Sequence, residues 1–197
     1  MAPRARLPLK RFVRGKAAPR LAPRFGAMHI SAMVSPRTSF QAGHLRKFLV
    51  VVDETPECDR ALVYAAKRAE RTGGMLTMLF VIRPEEFQHW LGVEDIMRAE
   101  ARAEAEATLA RSLDRARSIA PRVKPETVVR EGSPADEILA LIAEDADIAI
   151  LVLAAGTEKD GPGPLVSSLA GKLSGSFPIP ITIVPGTLSE ADIVALA

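Results

Sequence analysis

The feature that most constrains the fold is a regular exchange between short apolar runs and longer amphipathic stretches. Residues 47–53 (KFLVVVD), 75–82 (MLTMLFVI) and 148–154 (IAILVLA) are continuous, mainly apolar runs of strand length. Such runs are typical of parallel strands buried on both faces of a sheet. Between them, apolar residues recur at spacings of three and four, which predicts helices. Alternating strands and helices indicate βαβ units with right-handed crossovers and hence an α/β fold with a parallel sheet.

Start and stop signals bound two of the predicted helices. Thr55 is a typical N-cap residue, Pro56 suits the first helical position, and Gly73 ends the helix that follows the first strand. Ser133 and Pro134 repeat the start signal ahead of the third apolar run. Each of these helices therefore connects two strands, as a βαβ unit requires.

The remaining segments extend the same alternation. The longest helix is predicted over 94–119, and shorter strands over 123–130 and 179–184. Pro180 would remove a ladder donor, so the last strand is expected at an edge of the sheet. Ser189 is a candidate cap for a final helical turn. The longest helix has an apolar stripe of Ile96, Met97, Ala101, Ala105, Leu109, Leu113 and Ala116, and a loop with Pro84, Phe87 and Trp90 precedes it.

The net charge of +2 hides a strong asymmetry along the chain. Residues 1–47 contain 11 of the 26 Lys and Arg residues and none of the 24 acidic ones. The rest of the chain is therefore acidic, which argues against nucleic acid as its main partner. The sequence has no apolar run of about 18 residues, so we expect no membrane-spanning helix and no membrane partner.

The basic leader, residues 1–45, is predicted to be disordered, because a proline-broken segment of like charge buries too little surface to fold. Its origin has several explanations. An arginine-rich, acid-free start resembles a mitochondrial transit peptide. A genuine disordered extension has the same composition. Alternatively, translation begins downstream, at Met28 or Met33.

The chain has a single cysteine, Cys58, which excludes an internal disulfide framework and a cysteine-based zinc site. A reducing cytoplasm is the simplest compartment for such a protein. Cys58 is also a candidate redox sensor, since the first turn of a helix lowers a thiol pKa, although Glu57 and Asp59 oppose that shift. The histidines His29, His44 and His89 have no ligand spacing, so no metal site is predicted.

Four segments together resemble the universal stress protein family: FLVVVDETPECDRALVYAAKRA, LTMLFVI, REGSPADEILALIAEDADIAILVLA and PIPITIVP. The resemblance covers residues 46–186 and leaves 187–197 as a short C-terminal tail. It implies an open five-stranded parallel sheet of order 3-2-1-4-5 with helices on both faces, a Rossmann-like fold of the adenine nucleotide alpha hydrolase-like kind. It also implies a stress-response binding and signalling module that forms homodimers through its last strands.

A parallel sheet of this order binds ligands beyond the carboxyl ends of its strands, between the first and fourth. Asp53 ends the first strand, and a glycine-rich loop follows Ala154 at the end of the fourth. Such a loop can present backbone N–H groups to phosphates. The resemblance implies Asp53 and Val81 as adenine-side contacts and Ser168 as a phosphate-side contact. Alternatively, Asp53 caps a neighbouring loop, Val81 is a core residue and Ser168 an ordinary helical residue.

Nucleotide-binding members of the family carry a loop of the form Gly-x2-Gly-x9-Gly-Ser/Thr. Counted back from Pro180, its glycine positions fall on Ala154, Thr157 and Ser167, while the glycines actually present stand at other spacings. A side chain where φ is positive or where a phosphate approaches is costly. We therefore expect at most weak binding of ATP. The glycines of the loop are Gly156, Gly161 and Gly163.

The sequence favours a binding module over an enzyme. No nucleophile–base pair is visible in the crevice segments, and the P-loop GxxxxGK[ST] is absent. An ATP-binding protein with slow nucleotide hydrolysis, using Mg²⁺ recruited by Asp53, is the alternative. Another small ligand in the same crevice, or no ligand at all, also stays open.

Overall fold

A computed structural model describes residues 36–83, 94–157 and 161–197 of the chain. The strands are β1 Lys47–Val51, β2 Met75–Ile82, β3 Lys124–Glu131, β4 Ile148–Ala155 and β5 Ile181–Pro185. The helices are α1 Cys58–Thr72, α2 Glu94–Ile119, α3 Pro134–Glu144, α4 Pro164–Val166, which continues as π-helical turns over Ser167–Lys172, and α5 Glu190–Leu196.

The strands form one parallel sheet in the order β3-β2-β1-β4-β5. At its centre, Val50 of β1 pairs with Met78 of β2 on one side and with Val152 of β4 on the other. The central strands are thus paired along both edges, as their continuous apolar sequences predicted. The predicted fold class and strand order are confirmed.

Helices cover both faces of the sheet. Phe48 and Val50 of β1 belong to a core that α1, α2 and α5 cover, whereas Leu49 belongs to a core beneath α3 and the π-helical turns. Successive strand residues point to opposite faces, so one strand supplies both cores. Within the described residues, no helix combines the length and apolar character needed to cross a bilayer.

The predicted bounds of β2 and α2 are confirmed and those of the other strands differ by one or two residues, but α1 starts later than predicted. The helix begins at Cys58 instead of Pro56. The chain first makes a turn in which the Cys58 amide donates to the Thr55 carbonyl over 3.1 Å, and the Thr55 hydroxyl bonds to Asp53 instead of capping the helix. Glu57 stands at the N-cap position, with no side-chain cap.

Two further predictions need correction. Ile96 is 58% exposed, because it points about 100° around the helix axis from Met97, which packs towards Ile82. Pro180 precedes β5, and its carbonyl accepts a hydrogen bond from the Leu151 amide over 3.0 Å. The strand order confirms the predicted edge position of β5, but Pro180 lies before the strand, so the missing proline donor is not its cause. The predicted loop of Pro84, Phe87 and Trp90 lies outside the described residues.

The last part of the predicted leader packs on the domain. Arg37 Nη1 donates to the carbonyls of Ile142, Asp145 and Ile148 at 2.8, 3.2 and 3.3 Å. The Thr38 hydroxyl donates to Asp147 over 2.5 Å. Residues 36–45 are thus attached, which composition alone did not predict.

The C-terminal segment also joins the core. Ser189 accepts a hydrogen bond from the Asp192 amide over 3.2 Å, which confirms the predicted cap of α5. Ile193 is buried against the core of α1 and α2. Arg115 of α2 links Asp59 of α1 to Glu190 at the start of α5. The segment predicted as a tail is therefore part of the helical layer on this face.

Candidate functional site

A cavity of about 370 Å³ opens at the carboxyl ends of the central strands. From β1 the chain turns to α1 on one face of the sheet, and from β4 it turns to α4 on the other. The two connections diverge, which leaves a crevice at the switch point between the strands. Its walls include Val51, Asp53, Phe80, Val81, Leu153, Ala154, Gly156, Pro162, Gly163 and Leu165.

Four of the predicted site residues share this cavity wall: Asp53, Val81, Ala154 and Gly156. They come together because parallel strands place their carboxyl ends at one edge of the sheet. Of the residues predicted for the phosphate side, Thr157, Ser167 and Ser168 lie outside the lining.

Asp53 shapes the turn that follows β1. Its Oδ1 accepts hydrogen bonds from the Thr55 amide at 3.0 Å and from the Thr55 hydroxyl at 2.6 Å. The loop-capping role considered for this residue is therefore present. The same carboxylate lies on the cavity wall, where it is exposed to an incoming ligand.

The left-handed backbone of the loop lies at Gly161 and Gly163, with φ of +100° and +92°. Ala154 instead belongs to β4, where it pairs with Val184, and Ser167 is helical with φ −61°. The ungapped count therefore marks positions that have no special need for glycine here. The Gly156 amide donates to the Pro162 carbonyl over 3.2 Å and so closes the loop on itself.

Glu57 is a wall residue that the sequence reasoning missed. A Cβ atom placed on Gly156 would lie 3.0 Å from Glu57 Oε1, and one placed on Gly186 would lie 3.1 Å from Glu57 Cβ. The Glu57 side chain therefore packs against the glycine-rich loop. The acidic wall residues are Asp53, Glu54, Glu57 and Glu104, and the basic one among the described wall residues is Arg83.

Cys58 lies at the inner end of the cavity and is 7% exposed. Its Sγ accepts a hydrogen bond from the Asp53 amide over 3.4 Å. Burial, reinforced by the charges of Asp53, Asp59 and Glu57, raises the pKa of the thiol to about 12. The prediction of a helix-activated redox sensor is therefore wrong, since desolvation outweighs any effect of the helix terminus.

The profile of the universal stress protein family matches residues 44–185. The chain belongs to this family. A universal stress protein, UspA, from Lactobacillus plantarum has the same fold, with 20% identity, a TM-score of 0.53, and coverage of 71% of this chain and 97% of that one. No curated protein sequence is significantly similar to the chain.

Two other universal stress proteins with this fold are described as nucleotide complexes. One from Archaeoglobus fulgidus is in complex with dAMP, with 18% identity, a TM-score of 0.51, and coverage of 71% of this chain and 97% of that one. Another is in complex with cAMP, with 18% identity, a TM-score of 0.52, and coverage of 72% and 98%. At this identity the likeness establishes the fold.

A second cleft of about 450 Å³ adjoins the crevice of this universal stress protein domain and shares Asp53 and Cys58 with it. It runs between α1 and α2. Arg111 Nη2 donates there to the Thr108 hydroxyl over 2.8 Å, while Arg115 is ion-paired to Asp59 and Glu190. These carboxylates raise the pKa of Arg115, which keeps it charged.

The part of the chain that the structure describes contains no group of three or more His, Cys, Asp or Glu side chains placed to hold a metal ion. Asp53 and Glu57 both line the crevice, but they belong to no such group.

Proposed function

We propose that this universal stress protein is a binding and signalling module that takes an adenine nucleotide or nucleoside weakly in the crevice. The carrying observation is the cavity at the switch point, where Asp53 and Val81 lie on the same wall as Gly156 and Gly163. Solved family members in complex with cAMP and dAMP support the choice of adenine compounds.

The walls offer an adenine ring a suitable environment. Phe80, Val81 and Leu153 supply apolar surface, and the Asp53 carboxylate supplies a hydrogen-bond acceptor for an exocyclic amine. Few polar groups among apolar ones are typical of small-molecule sites. The acidic balance of the wall opposes phosphates, which supports weak rather than tight binding of ATP.

A binding role is favoured over catalysis by the state of the thiol in the crevice. The Cys58 thiol is 7% exposed, and burial raises its pKa to about 12, so it stays protonated and is a poor nucleophile. Slow nucleotide hydrolysis remains the alternative proposal. Phosphate release from ATP and Mg²⁺ at a rate above that of Asp53→Ala would support it.

Calorimetry with AMP and cAMP tests the binding proposal. We expect Asp53→Ala to weaken binding about tenfold, because a hydrogen bond to a charged group is lost. Asp53→Asn preserves an acceptor for Thr55 and separates loss of the turn from loss of the charge. Asp114→Ala, an exposed carboxylate change on α2, is the matched control. Equal affinities for wild type and Asp53→Ala would contradict the proposal.

We propose that the protein is a homodimer through the edge of β5. That strand pairs with β4 on one side and with no other strand among the described residues, and Ile183 of β5 is 40% exposed. An edge strand with an apolar side chain invites pairing with a second copy. Ile183→Asp should shift sedimentation from dimer to monomer, whereas Leu196→Asp, an equally drastic change on α5 where the leucine is 63% exposed, should not. A monomeric wild type at micromolar concentration would overturn this proposal.

The cytoplasm is our proposed compartment. Cys58 is a free and buried thiol, which agrees with a reducing environment. Fractionation of cells that express the full chain tests this placement, and recovery in an organelle or membrane fraction would contradict it.

A further inference from the structure

We propose that the crevice prefers adenine ligands with little negative charge, such as adenosine or AMP, over ATP, and that Glu57 sets this preference. The inference rests on the proposed function, since it names the class of ligand for the same crevice. Its carrying observation is the Glu57 carboxylate packed on the glycine-rich loop.

The charge of the described wall is the first argument. Asp53, Glu54, Glu57 and Glu104 carry carboxylates, and Arg83 carries the opposing charge. Each added phosphate brings further negative charge into a concave site of lowered dielectric, where like charges repel more strongly than in water. A triphosphate therefore pays an electrostatic penalty that a nucleoside does not.

The position of Glu57 is the second argument. Its Oε1 lies 3.0 Å from the point that a Cβ atom of Gly156 would occupy. A glycine-rich loop binds phosphate when phosphoryl oxygens approach its backbone N–H groups closely. At Gly156 that approach would bring phosphoryl oxygens next to a carboxylate, so Glu57 acts against a phosphate chain and not against the adenine ring.

The hydrogen bonding of the loop is the third argument. The Gly156 N–H already donates to the Pro162 carbonyl over 3.2 Å. A phosphate that used this donor would have to break the bond that closes the loop. The positive φ angles of Gly161 and Gly163 shape the chain so that this closure is made without strain.

An alternative path for phosphates leads into the second cleft. The charge of Arg115 is neutralised there by Asp59 and Glu190. Arg111, which is bonded to the neutral hydroxyl of Thr108, is therefore the candidate cation for a phosphate in this cleft. Arg111 shares its cleft with Asp53, Glu54 and Asp59, whose charges oppose an anion. We therefore expect this path to add little, and Arg111→Ala tests it.

The experiment is calorimetric titration of the full chain with adenosine, AMP and ATP in EDTA, at low and high salt. Wild type should bind ATP more weakly than AMP and adenosine. Glu57→Gln should raise the affinity for ATP about tenfold and that for adenosine less than twofold, because only the charged ligand feels the lost carboxylate. High salt should improve ATP binding to wild type more than to Glu57→Gln, since screening relieves the same repulsion.

Glu106→Gln is the matched control, an exposed carboxylate on α2 that pairs with Arg102 away from the crevice. If Glu57→Gln fails to fold, the wild-type ligand series still tests the preference for weakly charged ligands, and its salt dependence still tests repulsion by the acidic wall. No binding of any adenine compound would overturn the proposed function itself. Binding of adenosine together with equal or tighter binding of ATP would leave the proposed function intact and overturn this inference. Equal gains for ATP and adenosine in Glu57→Gln, or ATP binding that Arg111→Ala alone removes, would also overturn it.

Discussion

The charged side chains are arranged differently at the amino and the carboxyl ends of the strands. At the amino end, Arg37 donates to three carbonyls, and Lys47 bonds to Glu126 and Asp145 at 2.8 Å each. At the carboxyl end, Asp53 and Glu57 lie on the wall of an open cavity of about 370 Å³. Charges are thus paired at the amino end, whereas carboxylates predominate on the cavity wall at the carboxyl end.

This difference separates stability from binding within one small domain. The amino-end clasp, residues 36–47, ties the entry of β1 to the end of α3 and the start of β4. Because all strands run in the same direction, these contacts lie at the amino ends of the strands, and the crevice lies at their carboxyl ends. We expect substitutions in the clasp to change the free energy of unfolding, and substitutions in the crevice to change affinity.

Removal of residues 36–43 of the clasp should have the largest effect on stability. Relative to a chain that starts at residue 36, a chain that starts at residue 44 should lose about 3 kcal/mol of unfolding free energy, because hydrogen bonds from a charged group and their buried acceptors are given up. Urea denaturation measures the difference. Deletion of residues 1–35 alone should leave the midpoint unchanged, as their composition predicts.

Arg37→Lys sharpens this prediction. Lysine keeps the charge but cannot place one planar fork against the carbonyls of Ile142, Asp145 and Ile148. We expect it to recover less than half of the stability that Arg37→Ala loses. Full recovery would show that the charge near the end of α3 matters more than the geometry of the clasp.

Substitutions in the glycine-rich loop of the crevice should have a smaller effect on the free energy of unfolding. Gly163→Ala forces a side chain into φ of +92° and should cost about 1–2 kcal/mol of stability. Ser167→Gly should cost up to about 1 kcal/mol because glycine weakens a helical segment, and it should leave ATP affinity unchanged. Stronger ATP binding by a chain with glycine at Ala154, Thr157 and Ser167 would show that the counted family spacing governs this loop after all.

Much of this architecture could be predicted from sequence, because the spacing of apolar residues distinguishes buried strands from helices. Strands buried on both faces give continuous apolar runs, so β2 was predicted with the bounds observed. Val81 was implied by the family resemblance, whereas the same logic placed Asp53 and the loop that contains Gly156 at one end of the sheet. The inferences about β2, Asp53 and this loop need only local pattern and parallel topology.

The rest could not be predicted because it depends on long-range or local geometry that the pattern does not encode. Arg37 donates to carbonyls more than 100 residues away in the sequence. The composition of the segment around it predicts only a solvated leader. A helix that began at Pro56 would make Glu57 a first-turn acid. The extra turn after Asp53 delays α1, so the Glu57 side chain contacts the loop instead.

Acid titration should reveal a modest contribution from the clasp. The Thr38 hydroxyl, aided by His44, holds the pKa of Asp147 below its ordinary value of 3.8. The folded state therefore binds fewer protons than the unfolded one, so this stabilisation is present above about pH 4 and is lost as pH falls through the folded pKa. Asp147→Asn should flatten the acid limb of a stability–pH curve. Glu70, whose pKa is lowered by the Arg122 amide, should retain its own share in that variant and serves as an internal reference.

Cys58 gives the last contrast with the clasp, because burial should make this nucleophile at the carboxyl end of the sheet inert. Its pKa of about 12 leaves roughly a thousandfold less thiolate at pH 8 than an ordinary cysteine has. Iodoacetamide should therefore label the native protein about a thousandfold more slowly than the urea-unfolded protein. Mass spectrometry of timed reactions measures both rates. Rapid native labelling that adenosine suppresses would instead show that the crevice opens as far as Cys58. The contrast between the rigid clasp and the open ligand site would then include motion at that site.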